Sequence, residues 1–117
     1  MLIDVMHAKI HRVAVTDAHL HYVGSIGIDQ ALIDAAGLVE GQRVQIVNIN
    51  NGERIETYII REERNSGRIS LNGPAARRVQ VGDIVIIIAY AQCTPEEAHQ
   101  LKPTVIFPNE HNRLVSS

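Results

Sequence analysis

The chain has 117 residues, of which 45% are hydrophobic and 21% charged, and its formal net charge is -2. This size and balance predict one globular domain, residues 1–117, with a single core, and exclude a disordered chain. The chain has no basic stripe, which argues against a nucleic-acid partner, and its single cysteine, Cys93, excludes an intrachain disulfide. Its longest apolar run, residues 84–91, is too short for a membrane-spanning helix. We therefore expect a cytoplasmic protein.

The first predicted elements are a strand and a short helix. Apolar and polar residues alternate over residues 10–16, which is the pattern of a half-buried strand. Asp29 can then cap a helix over residues 30–36, and Gly37 is placed to end that helix.

The middle of the chain predicts paired strands. Residues 43–50 and 54–61 are rich in β-branched residues, and the Asn-Asn-Gly sequence at residues 50–52 is a strong hairpin signal. The Asn-Ser-Gly sequence at residues 65–67 gives a second hairpin signal, ahead of a strand at residues 68–71.

The last third of the chain predicts short helices between strands. Residues 74–78 predict one helical turn with proline near its start, and residues 83–90 predict a strand. Thr94 begins a capping box whose helix should end at about residue 101, before a last strand at residues 104–107. Because short strands in a small domain must hide their edges, we expect them to close as a small β-barrel.

A weak internal repeat relates two of these strands. Residues 40–47 (EGQRVQIV) resemble residues 81–88 (VGDIVIII), with a glycine ahead of a polar residue and a β-rich strand in each copy. Two related halves would suit a pseudo-symmetric barrel, but any two strands preceded by a turn look alike. Both interpretations stay open at the level of the sequence.

The dipeptide Gly24-Ser25 suggests a chain that cuts itself. A serine hydroxyl can attack the carbonyl carbon of the preceding peptide bond, and glycine there has no side chain to obstruct the approach. The resulting ester can eliminate to leave dehydroalanine, which water converts into a pyruvoyl group. Gly-Ser is also a common turn or linker pair, so the interpretation depends on the surrounding residues.

Several side chains could serve such a site. Lys9 would place a cation beside an anionic substrate, although a lysine in a strand is usually only solvated, and Tyr22 lies just ahead of the cut. Arg54 could hold a carboxylate through two parallel hydrogen bonds, Thr57 could donate to the carbonyl oxygen under attack, and Tyr58 could deliver a proton. In a regular strand Thr57 faces away from the other two, so one site that uses all three needs a bulge or a subunit boundary.

The loop Asn72-Gly73-Pro74-Ala75 is a further candidate for ligand binding. Its small residues would let a ligand approach backbone donors closely, although a plain strand-to-helix turn has the same composition. Proline has no backbone N–H, so Pro74 itself cannot donate a main-chain hydrogen bond.

As a set, these motifs resemble the pyruvoyl-dependent L-aspartate alpha-decarboxylases. The resemblance rests on Lys9, LHYVGS at residues 20–25, NGERIETY at 51–58, NGPAA at 72–76 and VGDIVII at 81–87, and it extends to about residue 98. It implies a mainly β fold, a small closed six-stranded double-psi β-barrel with a few short helices, assembled as a homotetramer with active sites between neighbouring subunits. It also implies an autocatalytically cleaved zymogen of a carboxy-lyase that converts L-aspartate into β-alanine and carbon dioxide, in pantothenate biosynthesis.

The resemblance assigns a role to each candidate residue. Cleavage after Gly24 would give a β chain (1–24) and an α chain (25–117), with Ser25 becoming a covalent pyruvoyl cofactor that forms a Schiff base with the substrate. Tyr58 would donate the proton, and Thr57 would take part in cleavage and contact the substrate. The other implied substrate-binding residues are Lys9, Tyr22, Arg54, Asn72, Gly73, Pro74 and Ala75. No metal is implied, and the need for a maturation partner stays open.

The chain departs from the pattern of the family in two places. Members often read T-H-A-D-L-H-Y before the cut, whereas this chain has Asp17 and His19 in exchanged positions. Pro74 stands where many members carry alanine. Neither departure affects the residues assigned to cleavage or proton transfer.

Three other interpretations stay open at this level. A serine hydrolase would pair Ser25 with His19 or His21 as base, but the sequence lacks a G-x-S-x-G elbow. A metal site would use these histidines with His7 and His11, although spacing places no third ligand. A non-catalytic β-barrel binding module, or an inactive relative, would show neither self-cleavage nor decarboxylation.

Overall fold

The structure is a computed structural model that describes residues 1–115, and it consists mainly of β-strands. In chain order the strands are β1 (Ile3–Ala14), β2 (Asp17–His19), β3 (Ser25–Asp29), β4 (Arg43–Asn48), β5 (Arg54–Glu62), β6 (Ile69–Asn72), β7 (Ile84–Cys93) and β8 (Thr104–Ile106). The helices are α1 (Gln30–Ala36), a 3₁₀ helix (Gly73–Arg78) and α2 (Pro95–Gln100). The predicted mainly β fold class with a few short helices is therefore confirmed.

The strands form one eight-stranded sheet in the order β2-β6-β3-β5-β4-β7-β1-β8. Thr16, just after β1, contacts β6, which lies near the opposite end of the strand order. Its N–H donates to Ile69 O at 2.9 Å, and the Ile69 N–H donates to Thr16 Oγ1 at 3.0 Å. The longer strands therefore surround a barrel whose β1–β6 junction is made by a few hydrogen bonds rather than a full ladder. The short strands β2 and β8, of three residues each, are additional to the six strands that the resemblance implies.

The internal repeat corresponds to matching local structure. Gly41 (φ 90°) donates its N–H to Ile59 O at 2.7 Å, and Gly82 (φ 97°) donates its N–H to Val15 O at 2.8 Å. Each glycine leads into a strand, and these strands, β4 and β7, lie side by side as an antiparallel pair. Both copies therefore form a glycine turn followed by a strand, as the repeat predicts. Whether the two halves of the barrel are related stays open.

The interior of the barrel is filled by aliphatic side chains. Ile10, Ile26, Ile46, Ile59 and Ile87 come from five different strands, and each is at most 1% exposed. Burying an isoleucine side chain stabilises a fold by about 1.5–3 kcal/mol. The core therefore holds β3 and β5, which carry the candidate site residues Ser25, Arg54, Thr57 and Tyr58, against the rest of the sheet.

The first strand is much longer than the predicted segment at residues 10–16. Its register against β7 shifts between Met6 and Ala8 and again between Ile10 and Val13. An irregular strand does not keep its apolar residues on one face, so the alternation is readable only near the end of β1.

The sequence pattern misses β3 and misassigns the turn at residues 65–67. All five residues of β3 are buried, so the strand has no polar face and no alternation to reveal it. The turn does form, with Asn65 at φ 64° and Gly67 at φ 70°. It is not a hairpin, because β3 lies between β5 and β6 in the sheet. The prediction of a second hairpin is therefore wrong, since turn residues do not report which strands pair.

The helix predictions are confirmed to within one residue at most ends. Helix α1 occupies the predicted residues, with Asp29 as its cap and Gly37 at its end. The predicted turn at residues 74–78 is a 3₁₀ helix that begins one residue earlier, and α2 starts from the predicted capping box of Thr94 and Glu97.

The Asp29 side chain joins β3 to the turn before β6. Its carboxylate accepts hydrogen bonds from Ala31 N at 2.8 Å and from Asn65 N and Gly67 N, each at 2.9 Å. Asp29 is 1% exposed, so these bonds satisfy a buried charge. They fix the relative position of the two strands on which the candidate cleavage site lies.

Candidate functional site

Ser25 is held on two sides at the start of β3. It is 2% exposed, its Oγ–H donates to Val23 O at 3.3 Å, and its Oγ accepts a hydrogen bond from Asn72 Nδ2 at 3.0 Å. Ser25 and Asn72 are direct partners in the antiparallel β3–β6 pair. The register of the sheet therefore sets the position of the hydroxyl beside the preceding peptide bond.

Ser70 continues this chain of hydrogen bonds. Its hydroxyl donates to Asn72 Oδ1 at 3.0 Å, and the two residues are 1% and 2% exposed. They lie two positions apart in β6 and so share a strand face. The resemblance placed Asn72 among the residues that line the substrate pocket, whereas here its side chain is buried against Ser25. Sequence reasoning missed Ser70, although alternation from Asn72 points to it.

Gly73 lies in contact with the backbone ahead of Ser25. It has φ 70°, and a Cβ built on it would lie 2.7 Å from Gly24 Cα, 2.8 Å from Gly24 N and 3.0 Å from Tyr22 O. Such distances are shorter than a carbon side chain can occupy. The absence of a side chain at this position therefore lets the Gly24-Ser25 segment pack against the start of the 3₁₀ helix.

A cavity of about 380 Å³ opens beside Gly24. Its lining includes Gly24, Thr57, Pro74 and Ala75, all of which are candidate residues, together with Ile55, Glu56 and Arg78. The fold thus brings the candidate cleavage site, the strand β5 and the NGPAA loop to one place, although they are far apart in sequence. Arg78 also borders this cavity and pairs with Glu53.

The predicted substrate cations and the proton donor do not line this cavity. Tyr58 is 39% exposed and pairs with Arg43 in the β4–β5 register. Arg54 is exposed on the same face of β5 and donates to Gln45 Oε1 at 2.8 Å. Lys9 is in β1, between β7 and β8. Within one chain, these three residues are not among those that line the Gly24 cavity.

Tyr22 is exposed on the loop before the cut. Its ring is 5.0 Å from the ring of His19, at an interplanar angle of 36°, and the residue is 66% exposed. The loop between β2 and β3 therefore places this side chain at the surface.

The histidines do not build either alternative site among residues 1–115. In that range no three His, Cys, Asp or Glu residues lie close enough to hold a metal ion, and the Ser25 hydroxyl bonds Val23 and Asn72 rather than a histidine. His11 has a buried Nδ1 without a hydrogen-bond partner in the described part of the chain, and its ring meets Phe107 edge-on at 5.4 Å. Burial, with Lys9 and Arg12 nearby, lowers the pKa of His11.

No helix within residues 1–115 is long and apolar enough to cross a membrane.

Comparison with known proteins gives consistent matches over nearly the whole chain. The family model for aspartate decarboxylase matches residues 1–115. The chain is 64% identical to the aspartate 1-decarboxylase of Cytophaga hutchinsonii, over 98% of this chain and 100% of that one. It is 57% identical to the aspartate 1-decarboxylase of Caldicellulosiruptor saccharolyticus, over 98% and 90%. Among solved structures, a rationally designed double-psi β-barrel protein is similar with a TM-score of 0.49 and 17% identity, over 68% of this chain and 91% of that one.

Proposed function

The chain belongs to the aspartate decarboxylase family, and on that premise we propose that it is an aspartate 1-decarboxylase that makes its own pyruvoyl group by cutting itself between Gly24 and Ser25. Its substrate would be L-aspartate and its products β-alanine and carbon dioxide. The observation that carries the proposal is the Ser25 hydroxyl, which Asn72 holds at 3.0 Å beside an unobstructed glycine that borders a cavity.

Ser25 would start the cleavage. Its Oγ adds to the Gly24 carbonyl carbon, the bond from that carbon to the Ser25 nitrogen breaks, and the nitrogen takes up a proton, so an ester replaces the amide. Loss of the Cα proton of residue 25 then expels the Gly24 carboxylate and leaves dehydroalanine. Water adds, ammonia leaves, and a ketone results at residue 25. The products are the chains 1–24 and 25–117, while the serine of the continuous chain represents the precursor.

The residues around Gly24 and Ser25 fit both the attack of the serine hydroxyl and the pyruvoyl group that cleavage would produce. Thr57 borders the same cavity as Gly24, so its hydroxyl is available to the oxygen on which negative charge develops. Gly24 and Ala75 present little bulk to the cavity, which leaves room for a small substrate. Asn72 offers a donor to the Ser25 oxygen as its proton leaves.

When formed, the pyruvoyl group supplies an electron sink for decarboxylation. The residues of the chain would bind the substrate and move its proton. Arg54 would grip one carboxylate with its planar guanidinium, and Lys9 would supply a second positive charge. Tyr58 would donate its phenolic proton to the α-carbon once carbon dioxide has left.

We further propose a homotetramer whose active sites lie between subunits. Support comes from the exposed positions of Arg54 and Tyr58, which within one chain do not line the Gly24 cavity. A neighbouring copy could place these side chains against that cavity. The same arrangement removes the conflict between the faces of Thr57 and Tyr58 on β5.

Mass spectrometry of freshly made and aged protein tests the cleavage. We expect two fragments, one ending at Gly24 and one beginning with a pyruvoyl-modified residue 25 that reacts with hydrazines. Ser25→Ala should stay intact and folded and should release no carbon dioxide from L-aspartate.

Two outcomes would contradict the proposal. An aged wild-type chain that remains whole and inactive would point to a non-catalytic relative. Decarboxylation by the Ser25→Ala protein would show that the activity does not depend on the cut.

A further inference from the structure

We propose that Ser70 is a positioning residue for self-cleavage, because it sets the orientation of the Asn72 amide against the attacking hydroxyl. The inference rests on the proposed function, since it concerns the same cut. It is carried by a directed chain of hydrogen bonds that runs from β6 into the loop before β3.

In this series of hydrogen bonds, each side chain donates one bond to the next group along the series. The Ser70 hydroxyl donates to Asn72 Oδ1 at 3.0 Å, and Asn72 Nδ2 donates to Ser25 Oγ at 3.0 Å. The Ser25 hydroxyl in turn donates to Val23 O at 3.3 Å. Its proton therefore points away from Asn72, and the lone pairs of Oγ face the amide donor.

The alternative orientation of Asn72 would reverse this arrangement. A half-turn of the amide exchanges its oxygen and nitrogen with little change of shape. The amide oxygen would then face Ser25 and attract the hydroxyl proton. The attacking oxygen would lose the only donor that this side chain offers to its developing negative charge.

After a half-turn of the amide, Ser70 Oγ could still accept from the Asn72 nitrogen, but the buried Ser70 hydroxyl proton would lose the acceptor that it has in the structure. Ser70 therefore favours the orientation in which its hydroxyl donates to Asn72 Oδ1. Ser70 is 1% exposed and Asn72 is 2% exposed, so the amide oxygen is removed from bulk solvent and would otherwise be an unsatisfied buried acceptor. Donation to the amide oxygen also polarises the amide and strengthens the bond from its nitrogen to Ser25.

The first experiment compares Ser70→Ala with Ser66→Ala. Ser66 lies in the turn just before β6, where its Oγ accepts from Arg68 N at 3.2 Å and makes no contact with the chain of bonds to Ser25. The rate of appearance of the fragment 1–24 is measured by mass spectrometry, and thermal unfolding is measured in parallel. We expect Ser70→Ala to cleave about tenfold more slowly than wild type, and Ser66→Ala to cleave at the wild-type rate.

A second readout examines the first chemical step alone. Hydroxylamine releases the fragment 1–24 from any chain that is at the ester, so the hydroxylamine-sensitive fraction measures how much ester is present before elimination. Ser70→Ala should lower this fraction. A general loss of stability would not change it while the protein stays folded.

A matched pair separates the hydroxyl of Ser70 from its volume. Ser70→Thr and Ser70→Val add nearly the same bulk, but only the first keeps a donor for Asn72. We expect Ser70→Thr to cleave about tenfold faster than Ser70→Val. Equal rates in this pair, or wild-type cleavage by Ser70→Ala, would overturn the inference while leaving the proposed function intact. Failure of the wild-type chain to cleave would instead reject the proposed function.

Discussion

The buried β3–β6 pair and the exposed face of β5 carry the two parts of the proposed chemistry in opposite ways. On β3 and β6, Ser25, Asn72 and Ser70 are each at most 2% exposed and are joined by hydrogen bonds within one chain. On β5, Arg54 and Tyr58 stand at the surface and do not line the Gly24 cavity. Under the proposed function, one chain would therefore contain the residues for self-cleavage, whereas substrate binding would need side chains from a neighbouring subunit.

Tyr58→Phe should give the largest difference between the two activities, decarboxylation and self-cleavage. Loss of the phenolic proton donor is expected to lower decarboxylation by about 10²–10⁴-fold, because no other donor of the described chain is assigned to the α-carbon. Self-cleavage should keep its wild-type rate. Carbon dioxide release and fragment formation, measured on the same sample, check both statements.

Co-expression sharpens the same test. Mixed oligomers of Ser25→Ala and Tyr58→Phe chains should regain decarboxylation, since a cleaved Tyr58→Phe chain would meet the intact tyrosine of a Ser25→Ala neighbour. If the mixture stays as inactive as either parent, the sites do not lie between subunits.

Gly73→Ala should impair the buried region with a smaller effect. The new Cβ would lie 2.7 Å from Gly24 Cα, so the segment before Ser25 must move, and we expect cleavage to slow about tenfold, the factor for a displaced reacting group that costs about 1.4 kcal/mol. Gly37→Ala is the control, because Gly37 has a similar φ of 72° with no atom within 4 Å.

Both variants place a side chain on left-handed backbone, at a cost of about 1–2 kcal/mol. Only Gly73→Ala adds a collision with the cut site. Equal slowing in the two proteins would mean that backbone strain, rather than contact with Gly24, sets the rate.

Part of the candidate site could be predicted from the sequence, because the resemblance names its residues and because caps and turns follow from local motifs. Pro74 and Ala75 fall beside Gly24 as the resemblance implies, and the cap at Asp29 is readable from local chemistry. Ser70 was not predicted, because its role depends on which strands pair. That information lies in the register of β3 against β6, and β3 itself lacks any alternating pattern.

The smallest expected effect concerns pH and lies outside both regions. Burial, aided by Lys9 and Arg12, lowers the pKa of His11 below the ordinary value of 6.5. The folded protein therefore holds fewer protons than the unfolded chain in mild acid. The contribution of neutral His11 to stability is complete above pH 6.5 and is lost as the pH falls towards the lowered pKa.

His11→Gln should remove this part of the acid sensitivity. Between pH 7 and pH 5 its unfolding temperature should fall by slightly less than that of wild type. His99→Gln, at an exposed position of α2, should follow the wild-type curve. A His11→Gln curve parallel to that of the wild type would show that His11 makes no such contribution.

The position of β1 in the sheet would have a consequence if the chain is cut after Gly24 as proposed. β1 pairs with β7 on one side and β8 on the other, so a fragment that ends at Gly24 would carry a strand inserted in the interior of the sheet. Before the cut, each protomer unfolds and refolds as a single polypeptide. Afterwards they would require two polypeptides to find each other, so the melting midpoint should rise with protein concentration. After unfolding in denaturant and dilution, the cleaved protein would then refold slowly, whereas the uncleaved precursor would refold faster.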